Sequence, residues 1–84
     1  MQELTANMVS AYDKVAPNTV WLHYKGHRYR VITLAYNEED LDVVVVYEPL
    51  SRPGVVFVRS LAGWLEVVDL QQSTQRFTLV DGDV

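Results

Sequence analysis

Two histidines, His23 and His27, are the only residues of this 84-residue chain whose type and spacing invite metal or general-base chemistry. They stand in the string His23-Tyr24-Lys25-Gly26-His27-Arg28-Tyr29-Arg30, which carries three fixed cations and no acid. A stable zinc site takes three or four protein ligands, so the pair completes one only if the fold brings Glu48 or Glu66 beside it. The plainer expectation is that His27 is solvated beside a turn and His23 occupies a strand face. Serine chemistry has less to stand on: Ser10, Ser51, Ser60 and Ser73 lie in no nucleophile elbow, and no Ser-His-Asp order follows from spacing. Four acids crowd the stretch from Asn37 to Asp42. Paired carboxylates do acid–base work only where a pocket separates their pKa values, and these read as a solvated loop tip. The glycines are scattered, so no loop cradles phosphate. Without cysteine there is no disulfide, thiolate nucleophile or cysteine-held zinc. The chain reads as non-enzymatic, with no cofactor and no metal.

Binding chemistry has more to work with. Lys25, Arg28 and Arg30, interleaved with Tyr24 and Tyr29, suit contact with phosphates while bases stack on the rings. The structural alternative packs Tyr29 in the core and leaves Arg28 and Arg30 in solvent or paired with the acidic loop, at about 0–1 kcal/mol for each surface pair. Arg59 and Trp64 are residue types that anchor interfaces, although in a chain with two tryptophans Trp64, like Trp21, is more often core. The candidate binding surface is therefore His23, Tyr24, Lys25, Arg28, Arg30, Tyr47, Arg59 and Trp64. A protein or peptide is its expected partner. Nucleic-acid contact through residues 23–30 is the rival reading, and a small-molecule or enzymatic role is the third.

Charge bears on that choice. Seven Lys/Arg against eleven Asp/Glu give a net charge of −4, the wrong sign for generic coating of nucleic acid. The charge is nonetheless segregated: outside residues 23–30 four bases face eleven acids. No secretory signal opens the chain, and the longest apolar run, Val43 to Tyr47, falls far short of the roughly 20 residues that span a bilayer. A cytoplasmic protein without membrane contact is the expectation.

These residues must be positioned by a small, mostly β domain. With 49% hydrophobic residues the chain is too apolar for disorder, and its size predicts about 4–12 kcal/mol of stability. Leu4, Met8, Ala11, Tyr12 and Val15 recur at helical spacing, and Pro17-Asn18 supplies a stop. This predicts a helix and linker over residues 1–18, docked as a lid or exposed as a dimer contact, so that the protein is a monomer or a homodimer through that helix. From Thr19 the period becomes two. Strands are predicted over 19–24, 28–36, 42–48, 55–59, 65–70 and 76–80, with turns at Gly26 and Pro53-Gly54 and a helical turn over 60–64. In the second strand the alternation places Tyr29, Val31, Thr33 and Ala35 on one face. Apolar residues of both parities mark the third as a central strand covered on both sides. Five or six short strands predict a β-barrel or roll over residues 19–80, because closure removes exposed edges. Residues 81–84 are expected to form a flexible acidic tail.

Several strings fall in a recognisable order: His23-Tyr24-Lys25-Gly26, Tyr29 and Val31, Val45-Val46-Tyr47, Val58-Arg59 with Leu61, Glu66, and Arg76-Phe77. From Val20 to Phe77 the chain resembles the small bacterial domain of unknown function 1653 family. Two departures stand out. The family usually has a proline after its Val-Arg pair, where this chain has Ser60, and Glu38-Glu39-Asp40 replaces a stretch that commonly reads His-Ser-Glu-Thr. The resemblance implies an SH3-like β-roll preceded here by a short N-terminal α-helix. It implies no activity.

Overall fold

A computed structural model describes residues 2–80, apart from the side chains of Gln2, Glu3 and Thr5; the expected tail at 81–84 lies outside the described residues. The chain runs α1 (Gln2–Lys14), β1 (Val20–His23), β2 (Arg28–Tyr36), β3 (Val43–Pro49), β4 (Phe57–Ser60), α2 (Leu61–Trp64), β5 (Val67–Asp69), β6 (Thr74–Gln75) and β7 (Phe77–Leu79). Five strands form one antiparallel sheet in the order β4-β3-β2-β1-β7, and β5 pairs with β6 in a second, two-stranded sheet. The fold is mainly β with a short N-terminal helix, as the sequence predicts.

Local chemistry explains most boundaries. The last turn of α1 passes its hydrogen bonding on to Val15, whose N–H donates to the Ala11 carbonyl, and Asn18 then turns the chain with φ +65°. Asparagine tolerates that left-handed conformation better than most residues. Gly26, at φ +105°, closes the β1–β2 hairpin, and Gly54, at φ +93°, closes the turn before β4. Ser60 caps α2 by accepting the Gly63 N–H on its hydroxyl at 3.0 Å. The bond from the Leu65 N–H to the Leu61 carbonyl carries that turn onward, which shortens the expected fifth strand to Val67–Asp69. The polar stretch after it contributes β6, which sequence patterning reads as loop; two residues are too few for a period.

The face alternation of β2 departs from the simple period. Val31 pairs with Tyr47 and Thr33 with Val46, so β2 spends an extra residue, Ile32, against one step of β3. That bulge flips the parity: Val31 is buried before it and Leu34 after it, while Thr33 and Ala35 are only half-buried. The core lies on the concave side of the sheet and unites Trp21, Val31, Leu34, Val45, Trp64 and Phe77 with Ala11 and Val15 of the helical segment. α1 is thus a docked lid, further tied by a hydrogen bond from the Tyr36 hydroxyl to the Leu4 carbonyl. No second layer covers the outer face of β3, where Val44 and Val46 remain half-buried.

The barrel expectation needs correction. Its closure requires hydrogen bonding between β4 and β7, and among the described residues the ladder stays open there. α2 follows β4 and turns Trp64 inward instead. Trp64, fully buried, stacks on Phe77 of β7 with centroids 3.7 Å apart and meets Tyr47 of β3 edge-on at 4.9 Å. That packing ties β7 to β3 across the inner face and leaves the outer edge of β4 without a ladder partner.

Candidate functional site

α1 covers one end of the concave face. The other end stays partly open, and register decides what lines it. Opposite one another across the sheet stand His23 and Phe77, Tyr47 and Phe57, and Val45 and Arg59. Since side chains alternate along a strand, Phe57 and Arg59 of β4 point to the same side as Tyr47. The rings make a continuous wall: His23 lies 4.9 Å from Phe77, Tyr29 lies 5.4 Å from Tyr47, and Tyr47 lies 5.9 Å from Phe57. Beside the wall is a shallow cavity of about 280 Å³ lined by His27, Tyr29, Arg52, Val55 and Phe57 among others.

Arg59 is the polar centre of this face. It is half-buried, its guanidinium carbon lies 5.8 Å from the centre of the Phe77 ring, and its Nε is buried without a hydrogen-bond partner. Among the described residues no carboxylate pairs with it; the ion pair found there joins Arg76 to Glu66 at 2.6 Å. Arg76 is further committed through Nε to the Gly63 carbonyl at 3.1 Å. His23 accepts the Lys25 N–H on Nδ1 at 3.2 Å, so its neutral form carries the proton on Nε2. Its pKa is held below the ordinary histidine value, first by burial and then by the charges of Arg59, Arg76, Lys25 and His27.

Of the residues singled out by sequence, His23, Tyr47, Arg59 and Trp64 come together here. Trp64 is a buried support for the wall and not part of its surface, which decides between its two sequence readings; its indole N–H has no acceptor. Tyr24 and Lys25 sit at the exposed hairpin turn, with the Lys25 ammonium 5.9 Å from the Tyr24 ring centre. Arg28 and Arg30 are exposed, and Leu22, Val20 and Glu48 are their neighbours across the ladder. Among the described residues neither pairs with the acidic loop, which lies at the opposite end of β2. Phe57, Phe77 and Arg76 belong to the site although their sequence context marks them only as strand residues, and Tyr29, read in sequence as a stacking ring or a core residue, joins the wall. Their signal was available: an aromatic recurs on each neighbouring strand, but the register that aligns them is not local. Glu48 spends a carboxylate oxygen on the Gly54 N–H and Glu66 is paired with Arg76; among the described residues no three His, Asp or Glu gather as a metal-binding group. No described helix is long and apolar enough to cross a membrane.

The model of a family described as protein of unknown function (DUF1653) matches residues 19–79. The chain belongs to the DUF1653 family. A crystal structure of a DUF1653 protein from Bordetella bronchiseptica is similar to it at 36% identity and a TM-score of 0.67, over 84% of this chain and 95% of the other. No curated protein matches it. The family match spans β1 to β7 and therefore the whole aromatic wall with Arg59, whereas α1 precedes it. In this DUF1653 domain Ser60, at the position where the resemblance places proline, has φ −59°, the angle proline itself would impose. The hydroxyl adds a cap that proline lacks.

Proposed function

We propose that this DUF1653 domain is a non-enzymatic binding module on an SH3-like roll, and that it holds a protein or peptide partner on the face built around Arg59. One observation carries the reading: Arg59, half-buried beside the Phe77 ring, keeps a buried Nε without an acceptor and, among the described residues, no carboxylate partner. A hydrogen bond to a charged group contributes about 1.5–3 kcal/mol, and a fold that leaves it unmade gains only if something else supplies the acceptor. Arg flanked by Tyr and Phe is also the composition of binding hot spots. The non-enzymatic half is supported by His23, whose Nδ1 is spent on backbone and whose neighbours are cations and rings, with no carboxylate to orient it as a base.

The rival, nucleic-acid contact through residues 23–30, calls for rings interleaved with the cations. Tyr29 packs against Tyr47 on the concave side, while Arg28 and Arg30 have Leu22 and Val20 across the ladder. Titrating isotope-labelled protein with peptide pools, and separately with short single-stranded DNA, tests the two readings. Shifts clustering at His23, Tyr29, Phe57 and Arg59 with peptides, and lost in a folded Arg59→Gln variant, are expected. Salt-sensitive shifts confined to Lys25, Arg28 and Arg30 with DNA would refute the proposal.

A further inference from the structure

Arg59 stands on β4, and β4 is an edge strand. In an antiparallel ladder alternate residues direct both backbone groups to the same side, so half of the β4 residues point theirs away from β3 with no strand to receive them. Natural edges are normally blunted by charge, proline or a bulge. After Arg52 and Pro53 of the preceding turn, the edge has none of these until Arg59: Val55-Val56-Phe57-Val58 is an unbroken apolar run, each residue between 43% and 65% exposed. The one charge on the strand, Arg59, is turned onto the concave face.

We infer that the partner of this module is an extended acidic peptide that adds to the sheet as a strand along β4, with a carboxylate side chain seated on Arg59. The inference rests on the binding reading above and names the chemistry of its ligand. The alternation of a strand sets the pattern. Residues of the added strand on the concave side meet Arg59 and, one pleat away, Phe57 with the cavity that Arg52 and His27 line. Those on the other side meet Val58. Charge selects acid for the concave positions: Arg52 and Arg59 stand at that end, Glu66 is consumed by Arg76, and Glu48 is engaged by the Gly54 N–H. Because Arg76 is neutralised in this way, Arg59 itself offers one charge, enough for the single charge of a carboxylate, which its planar fork can also meet in geometry. A second copy of the chain pairing β4 to β4 is the poorer occupant, since the stretch from Val55 to Ser60 contains no acid to satisfy Arg59.

The test uses a blocked peptide of alternating valine and glutamate, and its counterpart with glutamine for each glutamate, titrated into the isotope-labelled protein. Expected are slowed hydrogen exchange at β4 amides and binding about tenfold or more tighter for the glutamate peptide, a preference that Arg59→Gln removes. Equal binding of the two peptides would overturn the inference. So would shifts at His23, Tyr29 and Arg59 without β4 protection; that result defeats strand addition and leaves the binding module standing. Concentration-dependent β4 protection with no peptide present would assign the edge to a second copy. Absence of any response on this face, in wild type and Arg59→Gln alike, would defeat both the inference and the reading beneath it.

Discussion

Trp64 stands where a barrel would have closed, and replacing it separates two contributions of opposite sign. Trp64→Ala removes a fully buried ring stacked on Phe77 and packed edge-on against Trp21 and Tyr47. Such a deletion costs about 3–5 kcal/mol, a large share of the roughly 4–12 kcal/mol expected for a domain this size. Trp64→Phe keeps one ring on Phe77 and gives up about 1–2 kcal/mol of burial. It also removes the indole N–H, which is buried without an acceptor, and an unpaired buried donor costs about 1–3 kcal/mol. The two effects nearly cancel, so Trp64→Phe is expected to lie within about 1 kcal/mol of wild type. Trp21 remains as the fluorescent reporter, its own indole N–H donating to the Thr19 hydroxyl at 2.9 Å. Urea denaturation read by fluorescence and by circular dichroism gives both differences. A loss of more than about 3 kcal/mol for Trp64→Phe, at unchanged m-value, would mean that the N–H has a partner and that the cancellation is wrong.

Two further outcomes follow from backbone and charge. Leu41 holds φ +60° in the acidic hairpin with its side chain about half exposed, a conformation that costs a non-glycine residue roughly 1–2 kcal/mol; Leu41→Asn is expected to raise stability by up to about 1 kcal/mol, seen as a rise of several degrees in melting temperature, and a lower melting temperature would contradict it. The pKa of His23 is lowered in the fold, so the unfolded chain takes up the proton first as pH falls: the stability due to neutral His23 is complete above about pH 6.5 and declines below it. His23→Gln should flatten stability against pH in that window, and an unchanged slope would remove His23 as its source.

Much of the fold was legible because its signals are local. The Gly26 and Gly54 turns, the full extent of β2, the stop at Pro17-Asn18 and the helical turn before Trp64 each follow from a residue or two whose backbone preference admits few alternatives. What was not legible depends on pairing. The bulge at Ile32 exists only in relation to β3, and it moved the inward role from Thr33 and Ala35 to Leu34. Barrel closure failed for a similar reason: nothing in the sequence of β4 or β7 says that Trp64 will pack on β7 and β3 in place of a ladder between them. The site divides along the same line. Arg59 and His23 were visible by residue type, but their company was not. Tyr29, Phe57 and Phe77 become a wall only once the register of five strands is set, and Arg76 is spent on Glu66 across a loop that hides the pairing.

Segregation of charge along β2 explains how an acidic protein can present a site for acid. The nine residues of β2 run from the basic hairpin to the acidic loop, a separation of about 30 Å at the usual rise of a strand. The Debye length under physiological salt is about 8 Å, so the hairpin and the loop are screened from each other. Asp42 nonetheless stands near β4: it shares a cavity with Ser60, and Arg59 pairs with Val45 three residues along. The Arg59 guanidinium reaches over Phe77, whose ladder partner is His23 of the basic hairpin, and among the described residues it has no ion-pair partner. The net charge of −4 therefore governs how the protein behaves as a colloid and says almost nothing about which ligand the Arg59 face accepts. At low ionic strength the two ends act together, the loop repelling an acidic strand while the hairpin attracts it.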